Sequence, residues 1–351
     1  MNRAIELVHS DAKAVLENRA EMLAALRGQH IFISGGAGFL GIWLIELFKV
    51  LNEQHAFNTR LTVFSRHATT LPLRWPHLGQ LEYINYENGD IRYLGEIPRD
   101  TPYVIHAAAL TDRRLLASIP SLVAEINGLG TLKILQAAGR LENLKKFILL
   151  SSGLVYGKQP WDMPLLDETY SGNLPTNSVG NTYAESKRYA EIIAQCAISE
   201  SKLPIVILRP FAFVGPYQSL QLPWAITDFM RDSLNGGPLR IMGDGSTVRS
   251  LMYASDYAFW VLAALANAQP NKTYNIGSPE AVSLGDLAQM ITQFFSPVPR
   301  ILTRVGQSGH ERTRSVPSVD KIMNDLGVRI TVPLARAVER SISWNKLLQS
   351  K

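Results

Sequence analysis

Two side chains four residues apart, Tyr183 and Lys187 in NTYAESKRYAE, are the first place where this chain could do chemistry. On a helix that spacing puts both on one face. A phenol with a pKa of about 10 is a poor base at neutral pH, but a neighbouring ammonium favours the phenolate. Such a pair could take up and return a proton, or simply sit on an exposed helix surface. A companion hydroxyl raises the first reading: the stretch SSGLVYG (151–157) follows the apolar run FILL, so hydroxyls arrive where a buried strand would emerge. Ligands of open α/β sheets bind at the carboxyl ends of the strands.

These groups need a frame, and the sequence supplies one. Short apolar runs recur as RLTVFS (60–65), LEYIN (81–85), YVIHAAA (103–109), KFILLSS (146–152) and IVILRP (205–210), with helix-length segments at 121–140 and 182–199. Continuous apolar strands alternating with helices predict an α/β fold, a Rossmann-type doubly wound parallel sheet covered on both faces. Before it, residues 1–28 carry helical spacing in Ala12, Leu16, Ala20, Leu23 and Leu26, with Asp11 available as a cap. After Gly215 the texture becomes richer in Pro and Gly, and PLRIMG, RSLMYASDYAFWVLAALANA and TYNIGS suggest a smaller C-terminal α+β substrate-binding region. The expected division is therefore 1–28, 29–215 and 216–351, with some later strands free to interleave with the Rossmann sheet.

In GGAGFLG, Gly35, Gly38 and Gly41 stand between the first apolar run and an apolar helix. Glycines allow a tight turn and close approach to a pyrophosphate, and the helix start offers unpaired N–H groups to its charge. With strand before and helix after, the motif reads as dinucleotide binding. An acid at the end of the second strand would bind the ribose 2′-hydroxyl of NAD, whereas a basic residue suits the 2′-phosphate of NADP. The chain has Ser65 and Arg66 there, which favours NADP over NAD unless Arg66 is a solvated turn residue. Asp90 and Ile91, in GDIR, could meet the adenine or could form an ordinary turn.

The composition, 46% hydrophobic and 19% charged over 351 residues, is that of a globular protein. A net charge of +5 with scattered Lys and Arg fits an anionic small molecule better than a nucleic acid. We find no apolar run long enough for a membrane span and no apolar leader. The lone Cys196, read as a buried small hydrophobe, cannot form an internal disulfide, and a reducing cytoplasm is the expected compartment.

Taken in order, GGAGFLG, GDIR, HAAA, SSGLVYG, Tyr183-x-x-x-Lys187 and FVGP make residues 29–330 resemble the extended short-chain dehydrogenase/reductases that act on nucleotide sugars. The resemblance implies Tyr183 as acid/base on a sugar hydroxyl, Lys187 as its partner and a ligand of the cofactor ribose, and Ser152 as the hydroxyl holding the reacting oxygen. Ser151 would point the other way along a strand and be structural. It further implies a cofactor site built from Gly35, Gly38, Phe39, Leu40, Gly41, Ser65, Arg66, Asp90, Ile91, Ala107, Ala108 and Lys187. Asn127 and Thr131 match a helix motif that is structural or close to the cofactor. Arg249 and Arg314 resemble arginines that meet the diphosphate of the substrate, a task suited to a planar, bidentate cation, although either could form a solvated salt bridge. A homodimer, and a place in surface-polysaccharide or deoxysugar synthesis, are implied on the same ground.

The departures carry information as well. In the 4,6-dehydratases of that family the catalytic hydroxyl is followed by an Asp-Glu pair that performs the elimination, and the decarboxylases keep a glutamate second. Here the two positions are Gly153 and Leu154. Neither transfers protons. Ala212, in RPFAFVGP, replaces an asparagine that many relatives use near the diphosphate. Hydride transfer at C4 of a nucleoside-diphosphate hexose, by a 4-epimerase or 4-ketoreductase, is the expected function. Alternatives are a 4,6-dehydratase with an acid recruited from the charged stretch Asp112, Arg113 and Arg114, which also reads as a solvated turn, and a non-catalytic dinucleotide sensor or scaffold.

Overall fold

A seven-stranded parallel sheet frames the molecule in a computed structural model that describes residues 3–175, 177–303 and 312–349. Its strands are β1 (His30–Ser34), β2 (Arg60–Ser65), β3 (Ile84–Asn88), β4 (Tyr103–His106), β5 (Lys146–Leu150), β6 (Ile205–Pro210) and an outer strand, Thr273–Ile276. From that outer strand the order runs β6, β5, β4, β1, β2, β3, every neighbouring pair parallel. The winding direction therefore reverses between β1 and β4, which opens a crevice at their carboxyl ends.

Strand alternation sorts the apolar residues into two layers. Ile31, Ile33, Ile105, Ile148 and Leu150 join one buried cluster with Trp43 and Phe48 of helix α2 (Phe39–His55) and with Leu262 of the helix Ala254–Asn267. Phe32, Val104, Phe147 and Leu149 face the other way, onto Val123 and Ile134 of Pro120–Ala138 and Ala194 of Thr182–Ser201. A third cluster, including Ile226, Phe229, Leu239, Leu287 and Val338, is the core of the smaller region. Small sheets lie there: Leu239–Ile241 with Ile301–Thr303, and Val248–Arg249 between Val282–Ser283 and Arg314–Ser315.

Five particulars differ from the sequence expectation. The strand anticipated at 81–85 occupies Ile84–Asn88, because at the sheet edge it need bury only alternate residues and polar ones follow Ile84. The stretch TYNIGS contributes the outer strand of the main sheet rather than the smaller region. The N-terminal helix α1 (Arg3–Leu16) stops before Asn18, which takes φ 56°, and a 3₁₀ segment Ala20–Leu26 follows. Asp11 is no cap but an interior helix residue, buried where it accepts a 2.5 Å hydrogen bond from the Tyr253 hydroxyl and pairs with Arg340. Cys196 is exposed rather than buried. Among the described residues no helix is long and apolar enough to cross a membrane.

Candidate active site

The crevice begins at the glycine turn. Gly35 leaves β1 at φ +72°, and a Cβ built on it would lie 2.6 Å from the Ala108 nitrogen and 2.7 Å from the Ala107 carbonyl carbon. At Gly41 a Cβ would meet the Gly36 carbonyl oxygen at 2.2 Å. Only glycine allows these backbones to approach so closely. Gly38 is the N-cap of α2 and no side chain caps that end. The N–H groups of Phe39, Leu40 and Gly41 therefore begin a 17-residue helix unclaimed by a cap, next to a cradle that side chains would fill. The residues fit a dinucleotide pyrophosphate.

Ser34 and His106, at the ends of β1 and β4, are joined by a 2.7 Å hydrogen bond, and His106 also bonds to the Thr131 hydroxyl at 3.1 Å. The imidazole is 1% exposed. Burial, helped by the Lys187 charge, pushes its pKa down to about 3, so it is neutral in the fold. Because the folded value lies below the unfolded one, stability is lost as pH falls below about 6.5, by up to about 1.4 kcal/mol per pH unit. Urea midpoints at pH 7 and pH 5 should show a smaller acid loss in His106→Gln than in the wild type. An equal loss in both would reject this origin.

Across the crevice, Ser152 caps a 3₁₀ turn over Gly153–Tyr156 and its Oγ accepts the Leu154 N–H at 3.1 Å. That leaves the serine hydrogen free to donate, and Ser152 lies close enough to Tyr183 to pull its pKa down. Ser151 is committed elsewhere: its hydroxyl donates to Glu191 at 2.5 Å. Tyr183 and Lys187 share a face of Thr182–Ser201. The ammonium, though, is directed at the Leu150 carbonyl, 2.7 Å away. Burial lowers Lys187 to about 8, against the pull of Glu191, and raises Tyr183 to about 12, against that of Ser152. The chain's own groups thus hold Tyr183 as a phenol, and the expected assistance from Lys187 is outweighed by burial.

Positions 153 and 154 contribute no acid. A Cβ at Gly153 would lie 2.8 Å from the ring of Phe211, so packing fills that position. Leu154 is 54% exposed and apolar. Asp112, the relocated candidate, caps its own short helix and is held by Arg114 at 2.7 Å.

The remaining sequence candidates divide. Ser65 accepts a bond from the His67 N–H, and Arg66 lies near enough to Asp90 to lower its pKa. Asp90 is chiefly engaged by Arg92, at 2.8 Å, and caps the turn that starts at Ile91. Ile91 is buried against Gly130. Asn127 ties its helix to the tyrosine helix by donating to Ser186 at 3.0 Å. Arg249 is half-buried and, among the described residues, bonds only to neutral oxygens, of Val248 and Thr313, with the charge of Arg113 close by. Arg314 pairs in register with Val248, not with Arg249, and donates to the Pro164 carbonyl. Alternation along so short a ladder turns the two arginines to opposite faces.

Sequence reasoning missed the brace beneath the site. Glu191, one turn beyond Lys187, holds Arg209 at 2.6 Å; Arg209 reaches the Tyr156 hydroxyl at 2.9 Å, which donates to Asn275 at 2.7 Å. The only signal was the i+4 spacing of Glu191 from Lys187. Phe211 against Gly153 had no local signal.

Comparison with known proteins places the chain among relatives of one family. A family model described as the NAD dependent epimerase/dehydratase family matches residues 31–277. UDP-glucuronic acid decarboxylase 1 of Xenopus tropicalis is 25% identical over 316 residues, 90% of this chain and 72% of that protein. UDP-N-acetyl-alpha-D-glucosaminuronate decarboxylase of Bacillus cytotoxicus is 27% identical over 328 residues, 91% and 98% of the two chains. The fold is shared with UDP-glucuronic acid 4-epimerase of Bacillus cereus in complex with UDP-glucuronic acid and NAD (TM-score 0.77, 23% identity, 91% of this chain and 100% of that one). It is also shared with the dTDP-glucose 4,6-dehydratase DesIV of Streptomyces venezuelae (TM-score 0.78, 22% identity, 92% and 98%).

Proposed function

We propose a function from the premise that this chain belongs to the NAD dependent epimerase/dehydratase family: hydride transfer at C4 of a nucleoside-diphosphate hexose, as a 4-epimerase or a 4-ketoreductase. One observation carries this reading. Ser152, Tyr183 and Lys187 gather at the carboxyl ends of the strands, while the next position, Gly153, is packed shut by Phe211. Elimination across C5 and C6 would call for a further proton-transfer group, and Leu154 and the capped Asp112 do not offer one.

In this reading the Gly35 turn and the N–H groups of Phe39, Leu40 and Gly41 would hold the dinucleotide, with Ala107 and Ala108 as a wall. Bound there, the nicotinamide would supply the hydride acceptor or donor and, when oxidised, a positive charge. Tyr183 donates its proton to the C4 oxygen as a ketone is reduced and takes it back in the reverse direction. The protonated phenol held by the chain is the form ready for reduction. Ser152 donates to the same oxygen, and Lys187 anchors the strand end and the cofactor ribose. Arg249, unopposed by any acid among the described residues, suits the substrate diphosphate.

Incubation with a 4-keto-6-deoxy sugar nucleotide and reduced nicotinamide tests the reading. Cofactor oxidation in proportion to product marks a ketoreductase, and C4 inversion of a hexose without net oxidation marks an epimerase. A 4-keto-6-deoxy product formed from an unmodified hexose would overturn both. Turnover of any of these also excludes a mere sensor.

Arg66 favours NADP. It forms no ion pair among the described residues, and no acid ends β2. Titration should show NADP bound roughly 10- to 100-fold more tightly than NAD, the worth of a charge-assisted hydrogen bond, and Arg66→Ala should erase the difference. Equal affinities in the wild type would reject the assignment. Leu129, Tyr189 and Ile192 expose 40%, 57% and 60% of their surface on two adjacent helices, which supports a homodimer through that face. A monomeric mass in light scattering would contradict it.

A further inference from the structure

Tyr257 has no task in the account above. It lies in the first turn of Ala254–Asn267 and is 4% exposed. Its ring stacks on Phe213 at 5.1 Å and 12°, and Phe213 stacks on Phe39 at 4.7 Å and 11°. Phe39 is the first residue of α2, at the glycine turn. An aromatic column two ring steps long therefore runs from the turn to Tyr257. The phenol at its far end lies within electrostatic range of Tyr183.

The hydroxyl of Tyr257 makes no hydrogen bond to any described residue, yet it is not among the polar atoms sealed from solvent. A covered ring ending in an unpartnered hydroxyl is costly unless a ligand or water completes it. A dinucleotide with its pyrophosphate at the start of α2 and its reactive ring at Tyr183 must pass along this column. We propose that the Tyr257 hydroxyl belongs to the cofactor cradle and donates a hydrogen bond at the nicotinamide end. Burial raises its pKa far above neutrality, so it is a constant donor and never a competing base. This inference rests on the dinucleotide-dependent reading of the site.

Calorimetric titration separates the two ends of the ligand. Wild type and Tyr257→Phe are compared for NAD against ADP-ribose, which lacks nicotinamide, and for NADP against 2′-phospho-ADP-ribose. Tyr257→Phe keeps the stacked ring and removes only the hydroxyl. It should weaken the whole dinucleotide roughly three- to tenfold, the net worth of one neutral hydrogen bond, and leave the fragment unchanged. An equal loss for dinucleotide and fragment, or no loss for either, overturns the assignment. So does a change confined to affinity for the sugar nucleotide. If the wild type binds neither dinucleotide nor fragment, the functional reading itself falls and this inference with it.

Discussion

Replacing Tyr183 with Phe should lower kcat by roughly 10²- to 10⁴-fold, the range lost with a positioned general acid or base. The fold should remain. The ring stays packed and only the hydroxyl near Ser152 is lost, a change of about 1 kcal/mol. Dinucleotide affinity should stay close to that of the wild type, because the pyrophosphate cradle is built from the Gly35 turn on the far side of the crevice. Ser152→Ala should lose less, since Tyr183 still carries the proton. Retention of most activity by Tyr183→Phe, with intact binding, would show that another group moves the proton. Lys187→Met offers a check on the electrostatics. Its ammonium is committed to the Leu150 carbonyl, so the variant should lose stability as well as activity, unlike the tyrosine variant.

Gly35→Ala should be the most damaging change at the cofactor end. The residue sits at φ +72°, where a side chain is strained. Its new Cβ would lie 2.6–2.7 Å from backbone atoms of Ala107 and Ala108, which cannot rotate away as a side chain could. We expect a stability loss of about 2–4 kcal/mol, combining strain with overpacking, together with loss of measurable dinucleotide binding. Denaturant unfolding and titration of NAD and NADP read the two effects separately. A variant of wild-type stability and affinity would contradict the close packing of the turn. Gly28→Ala is the control: its φ is +66° but nothing lies within 4 Å of its Cβ, so only the smaller conformational cost should appear.

What could be read from the sequence was what sequence neighbours decide. The strand–glycine–helix order around Gly35, the i, i+4 spacing of Tyr183 and Lys187, and the serine at the end of an apolar run are local patterns, and each became the local structure it implied. Contacts between distant segments were not legible. Asp11 looked like a helix cap because its partners, Tyr253 and Arg340, come from far along the chain. The emptiness of Gly153 was visible, but its cause was not: Phe211, from the loop after β6, occupies the space. Tyr257 went unnoticed for the same reason, since only the fold stacks it on Phe213 and brings it within electrostatic range of Tyr183. Charge environments were the hardest to foresee. Four-residue spacing places Lys187 beside Tyr183, yet the direction of a long side chain depends on which acceptor the neighbouring strand end presents.

The central claim is that chemistry here is confined to C4. The most direct measurement is the mass and C4 configuration of the products when purified protein acts on nucleoside-diphosphate hexoses, uronates and 4-keto-6-deoxy sugars with NAD, NADP and their reduced forms. The expected products are an isomer of unchanged mass inverted at C4, or a 4-ketone reduced by two hydrogens, both abolished by Tyr183→Phe. A product that has lost water or carbon dioxide would contradict it, because either loss changes bonds at C5 and C6.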